Sequence, residues 1–283
     1  MVLFPPAEFG TSGVRMRPVI TLTTDFGLDD PFVGIMKGVI LNIAPDTKII
    51  DITHNIEPQN IIQAALVLNA SYPWFPRKTV HIVIVDPGVG GKRRPMVVQS
   101  KFQFFVGPDN GVLTPVLDSK NRLYQLTNKK YFLKNVSNTF HGRDIFAAVA
   151  AWITTGVAAS KMGPRILKPE FLALPQPQIK KGTLQGEIIY KDRFGNLTTN
   201  ISSELINEKL PSFDKIKIQA GKQIINGLAK AYNDIKPGQT GAIINSWNQL
   251  EIFCREADAA KKLKLKLGQS LTLKPVLQKR GID

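Results

Sequence analysis

Apolar positions along the chain change period several times, and each change predicts an element. Val19-Ile20-Thr21-Leu22-Thr23 is a run of apolar and β-branched residues that stops at Asp25-Phe26-Gly27. Such a run reads as a buried strand. Residues 31–43 then carry Phe32, Ile35, Met36, Val39 and Ile40 at helical spacing. A second strand is predicted over 48–52, and a helix over 61–72 with Pro58 suiting its start. Residues 80–85 are apolar and β-branched throughout, as a third buried strand would be. A later amphipathic helix is predicted over 143–155, with Phe146, Val149, Ala150 and Ile153 on one face.

Strands alternating with helices predict a mostly parallel sheet covered on its faces. In such sheets chemistry gathers beyond the carboxyl ends of the strands. Asp25 and Asp86 both stand just past a predicted strand. Residues 163–182 break the pattern with Pro164, Pro169, Pro175 and Pro177 and read as a linker. Beyond it come short strand-like runs at 186–190, 215–219, 242–245, 250–254 and 271–273, separated by turn residues. Lys264-Leu265-Lys266-Leu267 also alternates with period two, as in a strand with one wet face. The reading is therefore an α/β domain over 18–165 and a smaller, all-β, barrel-like domain over 180–283. Residues 1–17 read as a loose N-terminal tail, or as a start extended beyond Met16. Pro5, Pro6 and Gly10 interrupt that stretch, so it does not read as a signal peptide.

Composition narrows the classes. Hydrophobic residues make up 43% of the 283, enough for a core without staples. One cysteine, Cys254, leaves no intrachain disulfide and fits a reducing, cytoplasmic home. No run approaches the roughly 18 apolar residues of a membrane span, so a soluble chain is expected. The net charge of +15 invites a nucleic-acid reading. Much of the excess is local, however: Lys261, Lys262, Lys264, Lys266, Lys274, Lys279 and Arg280 stand with no acid among them. No zinc spacing, stacking motif or helix-turn-helix signature accompanies them. A solvated basic face is the expectation, and nucleic acid is not an expected partner.

Candidate chemistry sits in the loops. In Thr24-Asp25-Phe26-Gly27-Leu28-Asp29-Asp30 the acids suit ribose hydroxyls or a cation better than a phosphate. Asp29 or Asp30 equally suits an N-cap for the helix at Pro31. Asp86-Pro87-Gly88-Val89-Gly90-Gly91-Lys92-Arg93-Arg94 is not a phosphate-binding P-loop, since no Ser or Thr follows the lysine. Asp86 there reads as a general base, a metal ligand, an orienting group or simply a turn residue. Gly107-Pro108-Asp109-Asn110-Gly111 is a strong turn. Phe140-His141-Gly142-Arg143-Asp144 puts a histidine before a helix, where the neutral imidazole is favoured. His141 with Asp86 could pair on a metal, although no ligand spacing supports one. Of the other histidines, His81 lies inside an apolar strand and reads as structural, while His54 is open. Asp192-Arg193-Phe194-Gly195-Asn196 offers a ring and two polar side chains to a purine nucleoside, or is a hairpin turn at Gly195-Asn196.

Five of these segments in this order, Thr24–Gly27, Val85–Gly90, Gly107–Gly111, Phe140–Asp144 and Asp192–Asn196, resemble the S-adenosyl-L-methionine hydroxide adenosyltransferase family. These are water-using relatives of fluorinase and chlorinase, and the resemblance runs over about 18–275. It implies hydrolysis of S-adenosyl-L-methionine to adenosine and L-methionine by an activated water that attacks the ribose C5′. It implies Asp86, Arg93 and His141 as catalytic residues, with Arg94 the neighbour from which Arg93 must be told apart. It implies Asp25, Asp29, Asp192, Phe194, Asn196 and Ser246 as substrate-binding residues. It implies no metal or other cofactor, and a homotrimer with the ligand at the subunit interface. The halogenases carry a different pair at Asp86-Pro87 and a longer insertion after it, so halide use is not expected. Relatives place small residues and an Asn near the adenine where this chain has Arg255, Glu256 and Asp258. A non-catalytic binder of S-adenosyl-L-methionine or adenosine is the competing expectation.

Overall fold

The computed structural model describes residues 17–180, 182–210 and 216–275. Expectations for the tail before Arg17, for Lys215 and for Lys279 and Arg280 lie outside the described residues. The chain divides into two compact units after Ala173.

The first unit is an α/β sandwich. Its strands are β1 (Val19–Thr24), β2 (Lys48–Thr53), β3 (Val80–Ile84), β4 (Pro95–Gln99), β5 (Phe104–Pro108) and β6 (Arg122–Gln125). They form one sheet in the order β2-β1-β3-β5-β4-β6. The β1–β2, β1–β3 and β3–β5 pairings are parallel, and β4 runs antiparallel to both neighbours. The sheet is thus mostly parallel, as the alternating pattern predicts. Strands β4, β5 and β6 are not predicted by the pattern. Gly107-Pro108 reads as a turn in sequence, yet both residues end β5, and the turn proper begins at Asp109.

Helix α1 (Phe32–Ile43) buries Val33, Met36 and Ile40 against the sheet, while Phe32 and Ile35 stay largely exposed. Its buried face is therefore rotated from the predicted one. Its first turn has Pro31 at the cap position and no side-chain cap, so neither Asp29 nor Asp30 caps it. Helix α2 (Ile61–Ser71) starts at Asn60, whose side chain accepts from the Gln63 N–H, and not at Pro58. A competent cap next to the first apolar turn outweighs a proline two residues earlier.

The segment after His141 is one turn of π-helix, Gly142–Ala147, continuing as α3 (Ala148–Thr154). Ile145 through Ala151 are all buried, so this helix is not amphipathic as predicted but enclosed. Phe146, Val149, Ala150 and Ile153 do join the core, together with Ile20, Leu22, Met36, Ile82 and Val106. Phe146 is wholly buried, and truncating it to alanine would cost about 3–5 kcal/mol. His81 is structural: its ring is buried, stacked 5.0 Å from Phe105, with Nδ1 2.8 Å from the Thr21 hydroxyl. Burial pushes its pKa down to about 3.

The second unit is antiparallel. Its strands are β7 (Gln178–Lys180), β8 (Thr183–Lys191), β9 (Leu197–Ser202), β10 (Ile216–Ala220), β11 (Gln223–Asn226), β12 (Thr240–Ile244), β13 (Gln249–Cys254) and β14 (Ser270–Pro275). They follow the order β11-β10-β14-β8-β9-β13-β12, with β7 on β8. A bridge from Ala229, just past β11, to Ile243 in β12 nearly closes the sheet on itself. Alternating burial in β8 and β10 lines a separate core of Leu184, Ile188, Ile218, Leu250 and Leu273. Two short helices, α4 (Ser203–Lys209) and α5 (Ala259–Leu263), flank it. The expected strand at Lys264–Leu267 is absent. Lys264 ends α5 with φ 55°, Leu265 turns into the core, and Leu267 is exposed. The alternation there comes from a helix end followed by a turn. Among the described residues no helix is long and apolar enough to cross a membrane.

Candidate active site

In the first unit, β1 and β3 are adjacent and in register at Thr24 and Ile84. Asp25 and Asp86 therefore leave the sheet at the same edge. Asn110 fixes the second exit by donating from Nδ2 to the Val85 carbonyl at 2.9 Å. Past Asp86 the chain doubles back through Gly88 and Gly90, and Arg93 returns to it. Arg93 Nε donates to Asp86 Oδ1 at 2.9 Å, and Nη2 donates to Oδ2. A two-pronged pair of this kind is among the stronger polar contacts available to side chains. Both side chains are mostly enclosed, at 6% and 9% exposed.

His141 comes from a different loop. Its Nδ1 lies 2.8 Å from the same Arg93 Nη2. A guanidinium only donates, so Nδ1 must accept, and the neutral ring carries its hydrogen on Nε2. Burial holds the His141 pKa below the ordinary imidazole value, and the Arg93 charge adds to that; Asp86 and Asp144 pull it the other way. The neutral form is thus the expected one, though burial and Arg93 explain it better than the helix end. The Arg93 guanidinium also lies 5.5 Å over the Phe146 ring. Arg94 is drawn elsewhere, with Nε on Asp109 Oδ2 at 2.8 Å and Nη2 on the Lys168 carbonyl at 2.7 Å. Arg93 is therefore the arginine of the cluster. Its guanidinium occupies the place between Asp86 and His141 that a shared metal would need. Among the described residues no group of three or more His, Cys, Asp or Glu side chains is arranged to hold a metal ion.

The loop after β1 forms an adjoining wall. Phe26, Phe32 and Phe140 meet edge to face with centroids 5.8, 6.1 and 5.3 Å apart. Asp25 Oδ2 accepts from the Gln59 N–H at 2.9 Å, which ties the loop to the stretch after β2. His54 braces the same loop from beneath, with Nδ1 2.8 Å from the Thr24 hydroxyl and Nε2 3.1 Å from Asp51. Asp29 is exposed and stands outside the Asp86–Arg93–His141 cluster.

In the second unit, Asp192 Oδ1 accepts from the backbone N–H of Phe194 at 2.9 Å and of Asn196 at 2.8 Å. Its Oδ2 accepts from Asn196 Nδ2 at 3.0 Å. This is the hairpin turn between β8 and β9, and it holds Phe194 out at 77% exposed. Gly195, at φ 88°, lies so close to the Asp258 side chain that no Cβ would fit. Asp258 in turn caps α5 by accepting from the Lys261 N–H. The 255–258 segment therefore abuts the Phe194 turn. Arg255 bonds the Ile235 carbonyl at 2.9 Å, so two of its charged residues serve the backbone. Ser246 is exposed beside Trp247, which packs 4.8 Å from Tyr190.

Two polar groups have no role assigned to them by the sequence. Glu251 is 5% exposed and accepts from Tyr232 Oη at 2.8 Å and Asn245 Nδ2 at 3.0 Å. Burial pushes its carboxyl above the usual range. Asp144 is fully buried at the start of the π turn. The available signal was an acid inside an apolar run, Leu250–Cys254, for Glu251, and an acid directly before one, Ile145–Ala151, for Asp144.

A mostly parallel sheet with a carboxylate, a guanidinium and an imidazole gathered at its carboxyl edge, followed by a near-closed antiparallel unit, defines a two-unit α/β-plus-β protein. Residues 20–163 match the model of the SAM hydroxide adenosyltransferase N-terminal domain, and residues 186–272 match that of the C-terminal domain. The chain belongs to the SAM hydroxide adenosyltransferase family. It is 36% identical over 268 residues to an (R)-S-adenosyl-L-methionine hydrolase of Methanocaldococcus jannaschii, covering 89% of this chain and 95% of that one. It is 33% identical over 259 residues to the enzyme of the same name from Salinispora tropica, covering 90% and 97%. A fluorinase of Actinopolyspora mzabensis is 25% identical over 65% of this chain and 72% of its own. A solved structure of a conserved protein from Thermotoga maritima superposes with a TM-score of 0.84 at 37% identity, covering 92% and 100%.

Proposed function

We propose that the protein hydrolyses S-adenosyl-L-methionine to adenosine and L-methionine. The observation that carries this reading is Arg93 bonded at once to Asp86 and to His141. Water is the nucleophile: its oxygen forms a bond to the ribose C5′ as the C5′–S bond breaks. The electron pair of that bond returns to sulfur, and methionine leaves as a neutral thioether. No general acid is needed at the leaving group, and the reaction calls for no metal or redox cofactor.

The water must lose a proton during the attack. Asp86 is the acceptor, because carboxylate oxygens keep lone pairs after bonding Arg93. His141 cannot share that role through Nδ1, which is filled by Arg93. Its Nε2–H is left to orient the water as a donor. Arg93 holds both groups in one geometry and favours hydroxide character nearby. Alignment of the oxygen with C5′ is then the main contribution of the site. In the second unit, Phe194 stands free to stack on the adenine. Asp192, Asn196 and Ser246 are the further nucleoside contacts this reading assigns to that unit, and Asp25 and Asp29 those it assigns to the first. A homotrimer with the ligand at the subunit interface is part of this reading, checked by mass in solution. A single, buried cysteine supports a cytoplasmic home.

Incubation with S-adenosyl-L-methionine in ¹⁸O-water should release adenosine labelled at the 5′ oxygen. Asp86→Ala should slow that release by about 10²-fold or more. Tight binding without any adenosine would select a non-catalytic binder instead.

A further inference from the structure

The geometry points to Asp144 as a positioning residue for His141, acting through the loop over 133–140 and not on the substrate. This rests on reading the Asp86–Arg93–His141 cluster as the reacting centre. A carboxylate with no exposed surface is costly unless each oxygen is paired. Asp144 Oδ1 accepts from Arg143 Nε at 2.5 Å, and Oδ2 accepts from Arg143 Nη2 at 3.1 Å. Those bonds stay within the turn. The one that leaves it is from the Ser137 N–H to Oδ2, at 2.7 Å. The Asp144 carbonyl also accepts from the Leu133 N–H at 2.9 Å. One residue thus holds the loop at two points, 133 and 137.

Past Ser137 the loop stays closed. The Ser137 hydroxyl accepts from the Thr139 N–H at 3.1 Å, and the N–H groups of Arg143 and Asp144 both bond the Phe140 carbonyl. The Arg143 guanidinium lies 5.2 Å over the Phe140 ring, the residue before His141. Asn138 turns its carbonyl against Gly90, at φ 74°, leaving no room for a Cβ there. Gly90 lies in the loop between Asp86 and Arg93. The loop bearing His141 is therefore keyed onto the loop bearing its two partners, and Asp144 holds the key in place. A π turn at this position, common next to working sites, brings Asp144 back under the loop it clamps.

The test uses ¹⁵N-histidine labelling of the full chain, whose three histidines give a simple spectrum. The charged groups facing the His141 ring are Arg93, Asp86 and Asp144. In the native protein Nδ1 should be the unprotonated nitrogen, with an apparent pKa below the ordinary value. Asp144→Asn keeps the volume but cannot accept at all three positions. We expect His141 to leave Arg93 in that variant, and its apparent pKa to rise toward about 6.5. Loss of the Asp144 charge alone would move it down, so the sign separates displacement from a field effect. The kcat should fall about 10²-fold, the scale of a misplacement near 1 Å, with KM changed less than about threefold. Ser137→Pro deletes the N–H that Asp144 accepts and should give the same shift; it decides alone if Asp144→Asn does not fold. A His141 that keeps its tautomer, with pKa unchanged or lower, overturns the proposal. A native protein that makes no adenosine would remove the hydrolase reading and leave the spectroscopic result standing.

Discussion

The first-unit cluster satisfies its hydrogen bonds over long stretches of chain: Arg93 reaches Asp86 across 7 residues and His141 across 48. The Asp192–Asn196 turn does the opposite. Its three side-chain bonds all close within four positions, and the ring at its tip is left to solvent. The difference separates chemistry from presentation. A cluster whose members fix one another's hydrogen-bonding roles presents its free polar atoms in one geometry. A turn that satisfies itself holds out a surface, which is what a stacking partner requires. The two regions should therefore fail differently when altered.

The largest expected effect is at Arg93. Arg93→Met leaves the Asp86 carboxylate enclosed and unpaired, which should cost about 3–5 kcal/mol of stability along with activity. A variant as stable as the native protein would show that Asp86 and Arg93 are not the tight pair described. Next comes acid sensitivity in the same sheet. His81 has a folded pKa of about 3 against 6.5 unfolded. Its stabilisation is complete above about pH 6.5 and is lost as pH falls toward about 3. The loss should be on the order of 3 kcal/mol between about pH 6.5 and pH 4, read by denaturant melts and flattened in His81→Phe. Hydrolysis per folded molecule should not follow that decline, because His81 touches no member of the cluster. The smallest effects belong to the turn. Asp192→Ala should cost about 1 kcal/mol and raise KM far more than it lowers kcat. Phe194→Ala should change stability by less than about 0.5 kcal/mol while weakening substrate binding. A kcat collapse with unchanged KM in either would erase the contrast.

Much of the fold was legible because apolar runs such as 19–23 and 80–85 are buried on both faces, where period and composition agree. The antiparallel strands Pro95–Gln99 and Arg122–Gln125 were not, being short and only partly apolar. Lys264–Leu267 misled because a helix end and a turn can imitate alternation over four residues. At the site, residue types and order suggested the family and its charged residues. What the sequence did not contain is which nitrogen of His141 is free, since that depends on Arg93 arriving from another loop. Nor did it show that Asp109 draws Arg94 away, leaving Arg93 alone in the cluster. Local turn chemistry at Asp192–Asn196 was readable as a hairpin, because all its partners are neighbours.

The claim that Asp86, Arg93 and His141 work as one unit is tested most directly by adenosine release from Asp86→Ala, His141→Ala and the double variant. If they share one water through Arg93, the double variant should be about as slow as the slower single one. Losses that multiply in the double variant would mean two independent groups, and would contradict the account.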